Sequence, residues 1–238
     1  MKSAPFAFTA LNIRRAPGFA DAGFKVEQLS PGVNIIYGPN ASGKSTFARL
    51  FLATVPDTAF FDCDACVQEL LARPAIIDAI AASLGDDLRK SDGSLDRALL
   101  RARVFASDEI RHRLEGILHP LVREACAEAR QQAADGGTAP FFLADVPLLY
   151  ESGFPLDRDL DIVVACDPAT QRTRLKQRSG FDEATIDRIL AAQLPIMDKV
   201  KRAGVVLWNG GTPDSLERQT AAFVRRLTLD PDSQDAGV

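Results

Sequence analysis

The feature that most constrains this chain is a glycine-rich run that ends in Lys44 and Ser45. The eight residues from Gly38 to Ser45 fit the pattern GxxxxGK[ST] at every fixed position. Apolar residues predict a buried strand over 32–37 before the run and a helix over 47–52 after it. In this order the backbone N–H groups of the loop and the helix N-terminus hold anionic phosphates. The motif therefore predicts a nucleotide-binding protein, against the alternative of a turn that merely contains a lysine.

The motif also assigns individual roles. Lys44 is predicted to be catalytic because it reaches the β- and γ-phosphates, and the Ser45 hydroxyl is predicted to bind Mg²⁺. The predicted nucleotide-binding residues are Gly38, Asn40, Ala41, Ser42, Gly43, Lys44, Ser45 and Thr46. ATP and Mg²⁺ are the expected ligands. The loop alone does not identify the group that accepts the phosphate.

Short apolar runs alternate with helical patterns along the rest of the chain. They predict strands at 59–61, 140–145, 160–166 and 204–208, and helices at 170–177, 183–194 and 215–227. This alternation predicts an α/β fold with a parallel sheet flanked by helices. A helical stretch over 65–135, with breaks at 85–93 and at His119-Pro120, predicts a helical insertion. Two strands at 7–13 and 24–29 predict an N-terminal hairpin, and 230–238 a frayed tail.

Composition limits the class of protein. The chain has 238 residues, a net charge of −4 and a pI near 5.3, so it has no global basic field for coating nucleic acid. It contains no apolar run of 18 residues and no secretory signal, which predicts no membrane span and a cytoplasmic location. Four cysteines are expected as reduced thiols. Cys63 and Cys66 have the CxxC spacing, which is a weak zinc signal on its own.

Three aspartates are candidates for chemistry at the ends of predicted strands. Asp62 and Asp64 follow the second strand, where residues two apart share a face, and one of them could take a proton from an acceptor hydroxyl. The alternative for either is a helix N-cap. Asp145 ends a run shaped like a Walker B strand and is predicted to support Mg²⁺, against the alternative of a loop aspartate.

Basic residues are concentrated in one predicted helix, where Arg172, Arg174, Lys176 and Arg178 fall within seven positions. Arg174 and Arg178 are four apart and share a helix face. The two readings are a solvated face and a lid that clamps phosphates as charge develops.

A second set of candidates lies in the helical stretch. Arg97 and Arg101, also four apart, are candidates for gripping an anionic substrate. His119 precedes a proline, and its alternative is a packed or capping histidine.

Several ordered motifs resemble those of the dephospho-CoA kinases. They extend from about residue 60 to 219 and are Phe61 to Asp64, Asp92 to Arg97, Leu118 to Leu121, Asp145 to Glu151, Thr170 to Arg178, Ala191 to Gln193, and Trp208 to Gly210. The resemblance implies transfer of the ATP γ-phosphate to the ribose 3′-hydroxyl of dephospho-CoA, the last step of coenzyme A synthesis. It implies that Asp64 is catalytic. It places Asp62, Arg97, Arg101 and His119 on the substrate side and Arg174 and Arg178 in a lid over the nucleotide.

The same resemblance implies a domain organisation for a P-loop NTPase fold. Residues 31–61, 136–170 and 201–238 form the nucleotide-binding core, 62–135 the helical CoA-binding domain and 171–200 the lid. The strand pattern, and not this resemblance, predicts that residues 1–30 form an N-terminal hairpin extension. The expected partner is a small-molecule substrate, without nucleic acid or membrane, and the oligomeric state stays open.

The N-terminal part departs from this pattern. About 37 residues precede Gly38, and the stretch 11–50 resembles the hairpin and P-loop of RecF/SMC-like ATPases. Gln68 and Gly204 stand where the kinases often have an arginine and an aspartate. Two alternatives follow, a RecF/SMC-like ATPase and a P-loop protein that binds nucleotide without kinase turnover.

Overall fold

The computed structural model of the protein describes residues 33–37, 42–152, 158–180 and 182–228. The predicted strands at 7–13 and 24–29 and the tail at 230–238 lie outside these residues. The description also leaves out the side chains of 33–37, Arg178, Ser179 and Pro213.

Five short strands form one sheet in the order β2-β3-β1-β4-β5. The strands are β1 (Val33–Tyr37), β2 (Ala59–Asp62), β3 (Phe142–Asp145), β4 (Leu160–Ala165) and β5 (Val205–Trp208). β1 pairs in parallel with β3 and with β4, and β4 pairs in parallel with β5. Parallel neighbours need long crossover connections, which helices supply here. The predicted α/β parallel sheet is confirmed.

The described residues form ten α-helices. They are α1 (Lys44–Thr54), α2 (Cys63–Leu70), α3 (Pro74–Leu84), α4 (Arg97–Ala106), α5 (Asp108–Gly136), α6 (Leu149–Ser152), α7 (Pro168–Ser179), α8 (Glu183–Ala191), α9 (Ile196–Arg202) and α10 (Pro213–Thr228). In this described part of the chain, none of the helices has the length and apolar character needed to cross a membrane.

The chain divides into two compact units. The first contains the described residues up to Phe61 and from Ala133 onward, and the second contains Asp62–Gln132. In the first unit, Phe47 and Phe51 of α1 pack with Phe223 of α10 and with Phe141, the residue before β3, at ring-centroid distances of 5.8–6.2 Å. These rings continue into the apolar residues of β3, β4 and β5. Burial of this aromatic face fixes α1 and α10 on the sheet.

The second unit has a core of its own. Its buried residues are Ile77, Ile80, Leu88, Leu95 and Leu100. They come from α3, from α4 and from the segment between these helices, which contains a 3₁₀ turn at Asp86–Leu88. The predicted interruption at 85–93 is therefore present.

The predicted helix break at His119-Pro120 is wrong, because α5 runs unbroken from Asp108 to Gly136 with Pro120 inside it. Proline lacks the backbone N–H and crowds the carbonyl of the residue four positions earlier, here Gly116. Leu118, Val122 and Cys126, at four-residue spacing, are buried on either side of the proline. Burial of this common stripe favours continuation of the helix through the proline.

Candidate active site

The end of the phosphate loop is held by a contact from a distant part of the chain. Gly43, which caps α1, has a left-handed φ of 107°, and a Cβ atom there would lie 2.2 Å from Nδ2 of Asn209. Nδ2 of Asn209 donates to the Ser42 carbonyl at 2.7 Å, and the Asn209 N–H donates to the Ala165 carbonyl at 2.6 Å. The loop is thereby tied to the carboxyl end of β4. A side chain at position 43 would strain the backbone and force Asn209 to move.

The loop residues predicted to bind nucleotide fall into two groups. Gly38, Asn40 and Ala41 lie outside the described residues. Ser42 is buried, and its Oγ is one of the buried polar atoms of the described residues without a hydrogen-bond partner. Ser45 and Thr46 are exposed in the first turn of α1.

The central pair of the site joins Lys44 to Asp145. Nζ of Lys44 lies 3.1 Å from Oδ1 of Asp145, and the two side chains are only 10% and 11% exposed. Asp145 ends β3, which lies directly beside β1, the strand before the loop. In parallel sheets ligands bind outside the carboxyl ends of the strands. The structure thus brings together two residues that are about a hundred positions apart in sequence.

Asp62 and Asp64 do not share a strand face, so that part of the prediction is wrong. β2 ends at Asp62, and α2 begins at Cys63. Oδ1 of Asp62 accepts the Ala65 N–H at 3.0 Å, which makes Asp62 the N-cap of α2. Asp64 is exposed in the first turn of the helix, a favourable place for a carboxylate because of the helix dipole. Both residues belong to the second unit.

The predicted substrate-side residues also belong to the second unit. Arg97 and Arg101 are exposed on α4, and His119 is half-buried on α5. Nη2 of Arg97 donates to the Gln68 carbonyl at 3.0 Å, which links the end of α2 to the start of α4.

The CxxC pair lies at the start of α2, with Cys63 buried and Cys66 half-buried. Burial raises the pKa of the Cys66 thiol, and it raises the pKa of Cys126 on α5 to about 12. These shifts keep both thiols protonated at neutral pH. Within the described residues there is no group of three or more His, Cys, Asp or Glu side chains arranged to hold a metal ion.

The basic side chains of α7 make two kinds of contact. Nη1 of Arg172 contacts Glu183 at 2.9 Å, Nη2 of the same residue contacts Asp187 at 2.5 Å, and Lys176 contacts Glu183 at 2.8 Å. These pairs tie α7 to α8. Arg174 is half-buried beside the thiol of Cys166, the residue that follows β4. The backbone of Arg178 lies in α7, and its side chain is outside the description.

The sequence predicted no role for three residues that make buried or partly buried polar contacts in the first unit. Asn209 braces the loop, and Glu151 lies 3.0 Å from the fully buried Lys199. Asn209 and Glu151 both fall inside the motifs that carry the family resemblance. No sequence pattern indicates that Lys199 is buried, because a lysine among charged residues such as Lys201 and Arg202 is typical of a solvated helix.

A buried lysine at the start of α1 and an aspartate from the adjacent strand place the chain among the P-loop nucleotide-binding proteins. Comparison with known families narrows this class. The family model for dephospho-CoA kinase matches residues 35–214, a range that includes the loop at 38–45. The chain belongs to the dephospho-CoA kinase family.

Curated relatives agree with this assignment, and a solved structure has a similar fold. The chain is 41% identical to a dephospho-CoA kinase of Anaeromyxobacter dehalogenans, over 75% of this chain and 84% of the relative. It is 37% identical to one from Methylococcus capsulatus, over 81% and 94% respectively. The crystal structure of TT1252 from Thermus thermophilus is similar with a TM-score of 0.68 and 29% identity, covering 84% of this chain and all of that one.

A second solved structure, a dephospho-CoA kinase from Campylobacter jejuni, matches with a TM-score of 0.60 and 21% identity over 84% of this chain and 98% of that chain. At this identity the likeness supports the fold alone. The P-loop kinase fold predicted from the sequence is confirmed.

Proposed function

We propose that the chain is an ATP-dependent kinase that transfers the γ-phosphate of ATP to the ribose 3′-hydroxyl of dephospho-CoA. Membership of the family carries the choice of substrate. The observation in the structure that supports the chemistry is the buried contact between Lys44 and Asp145. A desolvated lysine at this position neutralises charge on the β- and γ-phosphates more strongly than a solvated one, because the local dielectric constant is lower.

The loop residues bind the phosphates of ATP. The backbone N–H groups of residues 43–46 lie at the N-terminus of α1, where they are not used by the helix itself. The buried Ser42 hydroxyl fits a phosphate oxygen as its hydrogen-bond acceptor, since a buried hydroxyl without a partner is costly. Gly38, Asn40, Ala41 and Thr46 complete the predicted set.

Ser45 and Asp145 are the residues that would hold Mg²⁺. A hydroxyl and a carboxylate supply hard oxygen donors, and Mg²⁺ in kinases takes only one or two protein ligands besides phosphates and water. The donor set therefore fits the ion. When bound, Mg²⁺ neutralises charge on the transferred phosphate.

Asp64 is the general base of the proposed reaction. Its carboxylate accepts the proton of the 3′-hydroxyl as the new O–P bond forms and the bond to the ADP oxygen breaks. Exposure in the first turn of α2 leaves this carboxylate accessible to a substrate. Asp62, Arg97, Arg101 and His119 bind dephospho-CoA, and Arg174 and Arg178 approach the nucleotide from a lid at 171–200.

The wider domain assignment follows the same proposal. Residues 62–135 bind the CoA moiety, and 31–61, 136–170 and 201–238 form the nucleotide-binding core. The reaction is expected in the cytoplasm, where ATP and the CoA precursor are found.

The test is Mg²⁺-dependent ADP release from ATP, with and without dephospho-CoA, on the wild type, Asp64→Asn and Asp108→Asn. Asp108 is a matched control, because it is an exposed first-turn aspartate of the same unit and its ion pair with Arg111 is on the surface. We expect release that requires dephospho-CoA, falls by about 10²–10⁴-fold in Asp64→Asn, and is unchanged in Asp108→Asn.

Three other outcomes would overturn parts of the proposal. ADP release that is indifferent to dephospho-CoA would favour an ATPase. ATP binding without turnover by the wild type would favour a nucleotide-binding protein. Wild-type turnover that survives in Asp64→Asn would keep the kinase and reject Asp64 as the base.

A further inference from the structure

Glu151 occupies a junction between three parts of the first unit. It lies on α6, half-buried, and its Oε1 accepts the Leu194 N–H at 2.7 Å. The same oxygen lies 3.0 Å from Nζ of Lys199, whose side chain is fully buried, while that of Glu151 is 16% exposed. One carboxylate oxygen thus fixes both the segment 192–195, which joins α8 to α9, and α9 itself.

The segment 192–195 is also connected to the basic helix. Nε2 of the buried Gln171 on α7 lies 3.4 Å from Oε1 of Gln193, and Nε2 of Gln193 donates to the Ile189 carbonyl at 3.0 Å. The ion pairs of Arg172 with Glu183 and Asp187 join α7 to α8. The helices α7 and α8 therefore form one connected pair. The segment 192–195, which follows α8, is hydrogen-bonded to Glu151.

Glu151 is linked to the phosphate site through a short, constrained segment. It lies six positions after Asp145, the partner of Lys44. Between them Leu148 has φ of 53°, the one left-handed residue other than glycine in the described part of the chain. A strained backbone of this kind persists only where its surroundings fix it. Next to Glu151, the Tyr150 hydroxyl donates to Asp161 at 3.2 Å and the Tyr150 ring lies 5.5 Å from the Arg202 guanidinium.

A buried ion pair adds little net stability to a protein. The pair of Glu151 and Lys199 is therefore better explained by a role other than stabilising the fold. Removing two charges from water costs about as much as their attraction returns, and apolar replacements are often neutral or stabilising. Burial lowers the pKa of Lys199, with Glu151 opposing that shift and the charge of Lys44 adding to it. Of these contributions, that of Lys44 is the smallest.

We infer that Glu151 and Lys199 are positioning residues that fix the α7–α8 pair, with Arg174, relative to Lys44 and Asp145. This inference rests on the proposed kinase function. Loss of the pair should leave the fold intact and misplace Arg174 in the transition state. It should therefore lower kcat and leave the KM for dephospho-CoA unchanged.

The test uses the full-length chain and a neutral version of the pair, Glu151→Gln combined with Lys199→Met. Glutamine keeps an oxygen for the Leu194 N–H, and methionine fills the space of the lysine stem. The conservative variant is Lys199→Arg, which keeps the charge. The matched control is Lys201→Met, the same substitution on the same helix, where the lysine pairs with Asp198 on the surface at 3.2 Å.

Steady-state rates are compared at a temperature at which circular dichroism shows all variants folded. We expect kcat to fall by at least about tenfold in the neutral pair, with an unchanged KM for dephospho-CoA. Lys199→Arg should recover most of the rate, and Lys201→Met should match the wild type. If the double variant does not fold, Glu151→Gln alone is measured against the same criteria.

Three outcomes would overturn the inference. They are a neutral pair with wild-type kcat, an equal loss in Lys199→Arg, and a loss confined to KM for dephospho-CoA. The proposed function is judged separately, on the wild type alone, by whether its ADP release requires dephospho-CoA. Should the wild type lack that requirement, the positioning role is judged by amide hydrogen exchange, in which the neutral pair must speed exchange in α7 and α8 beyond Lys201→Met.

Discussion

At the scale of single residues, a side chain at Gly43 is unfavourable for two separate reasons. Its φ of 107° disfavours any L-residue, and a Cβ atom would collide with Nδ2 of Asn209. Gly93 shares only the first reason, since its φ is 81° and nothing lies within 4 Å of a Cβ built there. We expect Gly93→Ala to cost about 1–2 kcal/mol of stability. Gly43→Ala should cost more and weaken ATP binding by at least about tenfold, or 1.4 kcal/mol.

Chemical denaturation and calorimetric titration with ATP measure the two effects. Adding Asn209→Ala to Gly43→Ala removes the collision, so the double variant should be more stable than the sum of the single changes predicts. Equal behaviour of Gly43→Ala and Gly93→Ala in both measurements would show that the contact with Asn209 does not matter.

Single residues also show which features of the site are visible in the sequence and which are not. The sequence singles out Lys44 and Ser45 because the motif is local, and Asp145 because a strand ending in an acid is visible in the sequence, and their roles stay predictions. The brace from Asn209 to Ser42 spans 167 positions, so no spacing rule could reveal it. The sequence left two interpretations of Asp62, a proton acceptor and a helix N-cap. The hydrogen bond that it accepts from the Ala65 N–H shows that it caps α2.

At the scale of elements, α5 carries a proline at a position where helices rarely accept one. Pro120 is exposed, so its replacement removes little packing. Alanine restores a backbone N–H and relieves crowding against the preceding turn, and the full difference in a helix interior is about 3 kcal/mol. We expect Pro120→Ala to raise the free energy of unfolding by about 1–3 kcal/mol in urea denaturation.

Pro74 is the control for this change, because it is exposed and occupies the first turn of α3, where proline is favoured. Pro74→Ala should be neutral or slightly destabilising. A Pro120→Ala variant no more stable than Pro74→Ala would mean that α5 is already relaxed around its proline. The pattern of apolar residues predicted this helical region correctly and its continuity wrongly, because burial of Leu118 and Val122 outweighs a local signal.

The α7–α8 pair is held by charges that titrate in acid. Hydrogen bonds from Lys176 and then Arg172 lower the pKa of Glu183. A lowered carboxylate pKa contributes stability that is present above the unfolded value, about 4.3, and is lost as pH falls through the folded value. The contacts between the helices should therefore persist at neutral pH and weaken only in acid.

Removing one donor tests this assignment directly. In Arg172→Ala the pKa of Glu183, followed by NMR of its side-chain carboxyl, should rise toward the ordinary glutamate value. Lys201→Ala, which removes an exposed ion pair on α9, should leave it unchanged. An unmoved pKa in Arg172→Ala would mean that the guanidinium does not bind Glu183 in solution.

At the scale of the whole molecule, the residues predicted to bind ATP and most of those predicted to bind dephospho-CoA belong to different compact units. Lys44, Asp145 and the arginines of α7 belong to the first unit, whereas Arg97, Arg101 and His119 belong to Asp62–Gln132. The sequence predicts a helical insertion because a helical stretch of some 70 residues is too long for one crossover. It could not predict which side chains meet within each unit, since those contacts depend on the register and twist of the sheet.

Each ligand should therefore slow amide hydrogen exchange in its own unit. ATP with Mg²⁺ should protect α1 and the end of β3, and dephospho-CoA should protect α4 and α5. At a ligand concentration a hundredfold above the dissociation constant, binding stabilises by about 2.7 kcal/mol, which slows exchange through global opening of that unit about a hundredfold. Arg101→Ala should lose the protection by dephospho-CoA and keep the protection by ATP. Protection of the first unit alone by dephospho-CoA would place its binding residues outside Asp62–Gln132.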